Sequence, residues 1–450
     1  MKRHVSSFSV FSSPKKEENN TLFRGLWLRW GALTQAEKVV CAGIILVPLW
    51  WVIGWGLMVF FWVFGLAAYE LRCYKKIRLS RPSIEVIAFI LFSFYRTISY
   101  ALNAPVVVPR VLIDPILTLS CGGILIWYIQ SHNIRVRLQA VAWGFSVLIC
   151  MMLLWWIFFH FVLSEPYYIP PRTIYAVITG KGAYDPSKLG SVGNYLVPYT
   201  LNSQGFGGLL RYTFFFPHPT VSSFAIGFAG LIALDLKNRW WSLPIVVACA
   251  FLILICQARN AWLALSIALL VRWLIIAGKT GGLAFLLSLF AITSFTTLSL
   301  PSVTDWISET YTNTLEATSN FRKESTDTRS EVYYKTWTQF IEEPFLGHGV
   351  NGPPVQPGYE FATIGSESFV LGALLYKSGL LGTGVFLVFY ISLLTRIYDT
   401  RKDRPLCCFL MLLYFSLASL FTEFLVPEGF IIMLCIMLSN FEEYKLTKRD

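Results

Sequence analysis

Charge is scarce in this chain: only 14% of its 450 residues are Asp, Glu, Lys or Arg. A soluble domain of this size carries about a quarter. The nine cysteines form no framework. Nearly all lie inside apolar runs, neither long polar segment holds one, and no C-x-x-C spacing occurs. Disulfide staples and cysteine metal centres are therefore not expected. Nucleotide-binding glycine loops, H-E-x-x-H, G-x-S-x-G and acidic metal motifs are also missing, which argues against a cytoplasmic sugar-nucleotide enzyme. The N-terminus lacks the apolar core of a cleavable signal peptide.

What is plentiful is apolar sequence, at 55% of residues. It comes in runs of membrane-spanning length, about 20 residues. Helices satisfy their own backbone hydrogen bonds in lipid, so the expected fold is all-α, a polytopic membrane helical bundle. The formal net charge of +11 sits mostly in short connections. That is a mark of membrane topology rather than of nucleic-acid binding.

Residues 1–38 read as a cytoplasmic basic tail, 39–441 as one transmembrane domain, and 442–450 as a second cytoplasmic tail. The 30 residues Val39–Ala68 precede a connection with five basic residues and no acid, 72–81. Two spans with a tight turn near Trp51–Gly56 keep both flanks on one side; one long tilted span is the competing reading. Further spans are expected at about 84–102, 111–129, 140–163, 213–234, 243–256, 262–277 and 283–298. One more ends at 396–404, and two lie at 407–426 and 429–441. About twelve spans put the basic turns in the cytoplasm, in a cytoplasmic (inner) membrane, with both termini inside. They put the polar loops 164–210 and 301–365 outside, the latter with short helices and nine acids against four bases.

Loops carry function more often than spans do, and four places gather polar groups on the expected outer face. In residues 211–220, Arg211 sits at the membrane edge with His218 one to two turns deeper. A guanidinium there suits a phosphate; the bland alternative is a snorkelling anchor. In residues 257–262, Arg259 lies at a tight turn near the hydrocarbon, where a charge needs a partner or a task. In residues 326–352 the spacing of Val332, Tyr333, Trp337, Phe340 and Ile341 suits an amphipathic helix. Capping by Asp327 or Thr328 would place Arg329 in its first turn, a favourable anion site; a lid helix with a solvated face is the alternative. In residues 365–386, Glu367 meets apolar sequence and could act as a general base, or simply cap a helix.

The order of these features resembles the O-antigen ligase and O-antigen polymerase superfamily. An arginine precedes a proline-containing span start (Arg211, Pro217, Pro219), and an Arg-x-Ala-Trp opening follows (Arg259, Ala261, Trp262). Then come an arginine, a tryptophan and a P-x-x-G-x-G element (Arg329, Trp337, Pro344, Gly347, Gly349), and finally G-L-x-G (Gly379, Leu380, Gly382). The resemblance covers roughly 205–390. Where the family pattern has histidine, this chain reads Gly-Ser-Glu-Ser, with Glu367. A glutamate can perform the same proton transfer; a changed acceptor, a different base such as His348, or lost activity are the alternatives.

The resemblance implies a metal-independent, cofactor-free, inverting glycosyltransferase. It would act on an undecaprenyl-diphosphate-type donor at the outer face, as a polymerase or a ligase in surface-polysaccharide or exopolysaccharide biosynthesis. Arg211, Arg329 and Arg259 would bind the diphosphate, and Glu367 would be catalytic. His218, His348 and Trp337 are additional site candidates, and Tyr167, Tyr168, Tyr333, Tyr334 and Trp337 candidates for stacking on sugars. Expected partners are a lipid-linked oligosaccharide donor, a glycan acceptor, membrane lipids and other polysaccharide-assembly proteins. A lipid-linked sugar transporter or a non-enzymatic envelope scaffold are the other classes considered.

Overall fold

The structure, a computed structural model, describes residues 22–440 except 26, 106, 109–111, 113–115, 163–168, 185–193, 201–209, 280–322, 357–361 and 424–425. It is a helical bundle with three two-stranded sheets as small clasps. In chain order the helices are α1 Gln35–Ile45, α2 Val47–Ile53, α3 Trp55–Tyr74, α4 Ile84–Asn103, α5 Cys121–Ser131, α6 Leu138–Ile157 and α7 Ile174–Ile178. They continue with α8 Pro219–Leu234, α9 Arg239–Cys256, α10 Arg259–Lys279, α11 Lys323–Glu342, α12 Lys377–Asp399, α13 Leu406–Ala418 and α14 Val426–Met437. Wide π-helical turns precede α5, extend α6 and precede α12, the last over Phe369–Tyr376.

Among the described residues, six helices are long and apolar enough to cross a membrane, or seven if α1 and α2 count as one broken span. The chain is thus a multi-pass membrane protein, but the twelve expected spans are not all found. The helices α13 and α14 have 13 and 12 residues; at 1.5 Å per residue they reach about 20 Å, short of the roughly 30 Å hydrocarbon core. The expected span 283–298 lies outside the described residues.

The first hairpin is there. A Thr34–Glu37 capping box starts α1, and Glu37 also grips Arg137 at 2.6 Å. After the 61° bend between α1 and α2, the chain turns at Gly54, with φ 105°. A Cβ at Gly54 would lie 2.5 Å from Tyr175 Cβ, so both conformation and space call for glycine. The helix α3 then returns beside α1–α2, with the Trp50 and Phe61 rings 6.2 Å apart.

Helix α8 is the central post: 14 of its 16 residues are buried, which leaves almost no face for lipid. Around it the charged turns sort to one end. Glu70 holds Arg78, Glu85 holds Arg396, Asp235 holds Arg272, and Arg135 meets Asp403. At the opposite end the chain folds over itself. Residues 344–349 lie across the break in α12, where Gly379 has φ 61° and ψ −174°. His348 N donates to Tyr376 O at 2.8 Å, Gly349 N to Lys377 O at 3.0 Å, and Leu380 N to Pro344 O at 2.8 Å. Gly347 and Gly379 meet backbone to backbone: a Cβ on Gly379 would lie 2.6 Å from Gly347 N, and one on Gly347 would lie 2.7 Å from Tyr376 O. Arg96, half-buried on α4, supports the break by donating to Ser378 Oγ at 3.2 Å and toward Ala373 O at 3.4 Å. Both glycine elements of the sequence pattern are therefore two halves of one clasp.

Gly379→Ala should lower the thermal midpoint of the detergent-solubilised protein, because this backbone region admits only glycine and forcing it costs about 1–3 kcal/mol. Gly384→Ala, on the same helix with open space around it, should leave the midpoint unchanged. Equal midpoints for the two variants would contradict the clasp.

Candidate functional site

The clasp end of the bundle is where the singled-out side chains meet. Arg211 and Tyr212 form a short strand paired antiparallel with Tyr199–Thr200. Alternation along the strand buries Tyr212 and leaves Arg211 half-buried. Arg211 Nε donates to Cys256 O at 3.2 Å, on the last residue of α9. A helix C-terminus attracts cations, so the contact fixes the guanidinium.

Just beyond Cys256, Gln257 turns the chain with φ 51°, and Trp262 Nε1 closes the turn on Ile253 O at 3.0 Å. Arg259 is then the first residue of α10, only three positions after the carbonyl that Arg211 holds. Beside it, Asn260 Nδ2 is buried with no partner among the described residues. Sequence reading passed over this donor, although its neighbours were singled out.

His218 sits at the N-cap of α8, and its Nδ1 accepts from Thr220 N at 3.3 Å. The expected span start at 213 is therefore corrected to Pro219. Residues 213–218 are not helical, with Phe214 at φ 52°, so His218 is at the mouth of the helix and not one to two turns inside it. Burial first, then the positive charges of Arg211 and Arg329, push its imidazole down to about 3. The same electrostatics tie Arg259 to Arg329. Three arginines from three distant segments thus act on one small region.

Arg329 comes from α11, which begins at Lys323. The expected cap at 327–328 is corrected: Arg329 lies about two turns into the helix, so its guanidinium acts without the backbone N–H groups of a helix start. It reaches Glu367 instead, Nη2 to Oε2 at 3.0 Å, with both side chains partly exposed. The helix cap at this turn is Ser368, whose hydroxyl accepts from Leu371 N at 3.1 Å. Glu367 precedes the cap, so its carboxylate is not used up as a capping group. Its φ is 67°, a left-handed conformation that costs a non-glycine residue about 1–2 kcal/mol. Among the described residues five non-glycines have positive φ, and three of them, Phe214, Gln257 and Glu367, flank this cluster. Strained backbone of this kind concentrates at functional sites. Tyr333, one turn after Arg329, borders the pair: burial pushes its phenol up, Arg329 opposes this and Glu367 adds to it.

Two candidates lie elsewhere. His348 belongs to the clasp. Its Nε2 is 3.0 Å from Gln339 O, its Nδ1 is 3.6 Å from Glu343, and its ring packs on Tyr376 at 4.3 Å. Gln339 is ten residues past Arg329 on α11, about 15 Å along a helix. Trp337 is half-exposed and packs on Phe340 with rings 5.5 Å apart, pointing away from the buried side of α11. Tyr334 is 73% exposed on that outer side too. Tyr167 and Tyr168 lie outside the described residues.

Because the His218 pKa is depressed in the folded protein, folding is favoured above its unfolded value near 6.5. That stability is lost as pH falls from about 6.5 toward about 3. His218→Asn keeps a capping acceptor and removes the titration. Thermal midpoints measured against pH should fall less steeply for this variant across that window, and parallel curves would count against a neutral His218.

No curated protein and no solved structure matches the chain. Residues 244–387 match the sequence model of a family described as O-Antigen ligase. The matched stretch contains Arg259, Arg329, Glu367 and both halves of the glycine clasp. Over residues 244–387, about a third of its length, this multi-pass membrane protein is therefore similar to the O-antigen ligase family.

Proposed function

We propose that the chain is a glycosyltransferase that moves a glycan from an undecaprenyl-diphosphate-type carrier to an acceptor sugar at the outer face of the cytoplasmic membrane. The observation that carries this reading is the gathering of Arg211, Arg259 and Arg329 around His218 and Glu367 at one end of a membrane bundle. A diphosphate presents several anionic oxygens, and planar guanidiniums meet them bidentately. With the lipid tail in the bilayer, the donor's diphosphate would lie at the height of the bundle end where these arginines gather.

In the proposed step the acceptor hydroxyl oxygen attacks the anomeric carbon from the face opposite the diphosphate. The bond from that carbon to the diphosphate oxygen breaks, and its electron pair leaves with the lipid diphosphate. The hydroxyl proton passes to a Glu367 oxygen. The anomeric configuration inverts. The arginines stabilise the charge growing on the leaving group, so the proposal requires no metal or cofactor. Glu367 pairs with Arg329; a phosphate that takes over the guanidinium would free the carboxylate to accept the proton. Asn260 Nδ2 is a further donor for a phosphate oxygen. His218, neutral and engaged as a cap, shapes the site without carrying charge. Polymerase and ligase differ in the acceptor, and the glutamate in place of the family histidine inclines this proposal to the polymerase.

Complementation of a strain lacking the chain tests this, with surface-glycan length as the readout and expression checked for each variant. Arg211→Ala and Arg329→Ala should each abolish long glycan through loss of leaving-group stabilisation, and Glu367→Gln should do so through loss of a general base worth about 10²–10⁴-fold. Glu367→His should restore part of it. Normal glycan in every variant would favour a lipid-linked sugar transporter or an assembly scaffold instead.

A further inference from the structure

The exposed side chains of α11 and of the turn that follows it have no use in the site. Thr328, Val332, Thr336 and Phe340 bury one side of the helix, with Val332 and Phe340 packed among Val355, Ala362, Ile364 and Tyr376. The opposite side should then be polar, as on any surface helix in water. Ser330, Thr338 and Glu342 on it are exposed and polar, but large apolar side chains stand among them. Tyr334, Trp337, Ile341, Phe345 and Leu346 are 73%, 50%, 58%, 65% and 57% exposed. The three- and four-residue spacing of Tyr334, Trp337 and Ile341 lines them along one edge of the helix, and Phe345 and Leu346 follow in the turn after Glu342.

This edge does not end in solvent. At its C-terminal end, Leu381 N donates to Phe345 O at 3.2 Å and Tyr95 Oη donates to Leu346 O at 2.9 Å. Leu380 and Leu381 are exposed, and so are Leu91, Phe94, Ile98 and Leu102 on the neighbouring α4. Both α4 and the stretch Phe369–Asp399 are membrane-spanning by length and composition. The apolar edge of α11 therefore continues the surface that these helices present to lipid. The aliphatic and phenyl side chains stand next to the spans, and Tyr334 and Trp337 stand farthest from them. That order matches a bilayer boundary, where Tyr and Trp favour the headgroup level.

We infer that α11 is an interfacial helix whose apolar edge, Tyr334 to Ile341 and on through the turn at Phe345 and Leu346, docks on the bilayer surface, with phospholipid as its partner. Exposed apolar patches of this kind mark interaction sites, and an amphipathic helix with Trp and aliphatic residues on one face binds the headgroup–acyl boundary. This docking surface does not depend on the transferase reading.

The test places photoreactive p-benzoylphenylalanine at Ile341 in the full chain, reconstituted in nanodiscs of phosphatidylethanolamine and phosphatidylglycerol. Leu387, exposed on α12, carries the same probe as the lipid-facing reference, and Glu331 carries it as the reference away from the edge. After irradiation, peptide mass spectrometry reads the adducts. A phospholipid adduct at Ile341 comparable to that at Leu387, and well above that at Glu331, is expected. A yield at Ile341 no higher than at Glu331, or a cross-link to a second protein chain in place of lipid, would overturn the docking.

Discussion

The backbone contact between Gly347 and Gly379 is the constraint on which the candidate site depends. A helix that crosses a membrane cannot leave its carbonyls open to lipid. The stretch Phe369–Asp399 breaks at Gly379 all the same, because residues 344–349 and Arg96 take up the groups that the break exposes. The contact works only if neither residue has a side chain. Once it forms, α11 is held over the π-helical turn before α12, and Arg329 comes to rest on Glu367. Without it the arginine and the carboxylate would belong to separate parts of the chain.

Around that clasp, charge is distributed by environment. At the other end of the bundle, acids and bases pair one to one, as in Glu70 with Arg78 and Asp235 with Arg272. At the clasp end three arginines gather near one another, an arrangement that tends to repel itself. Such a grouping costs stability unless it has a task, and the positive φ values of Phe214, Gln257 and Glu367 mark the same place. Local strain and clustered like charges both act against folding, so their coincidence is stronger grounds for a site than either alone. His218 shows how burial manages the cluster: its imidazole stays neutral, adding shape and a cap without another positive charge.

Much of this was legible in the chain alone, for identifiable reasons. Membrane insertion follows from composition, and a turn was expected at Trp51–Gly56 because basic flanks on both sides suggested an even number of crossings; the chain does turn there, at Gly54. The order of Arg211, Arg259, Arg329 and Glu367 along the sequence also pointed to one site, since each stood where polar sequence meets apolar sequence. The failures have equally definite causes. A cap was expected at Asp327 or Thr328 because such residues usually start helices, yet α11 begins earlier at Lys323. His348 drew notice as a titratable group in a glycine-rich element, but the glycines place it on Tyr376, away from the arginines. Asn260 has no signature at all, because a buried donor without a partner is a property of packing.

Composition and the spacing of apolar runs settled by themselves that the protein is a helical membrane bundle, because lipid leaves the backbone few other choices. Residue chemistry at the run ends settled which side chains deserved attention. Tertiary structure alone decided which of them meet. The pairing of Arg329 with Glu367 joins positions 38 residues apart, and the nearness of Arg211 to Arg329 spans far more. Such contacts depend on where helices break and how their ends pack, and no local pattern of residues encodes those distances.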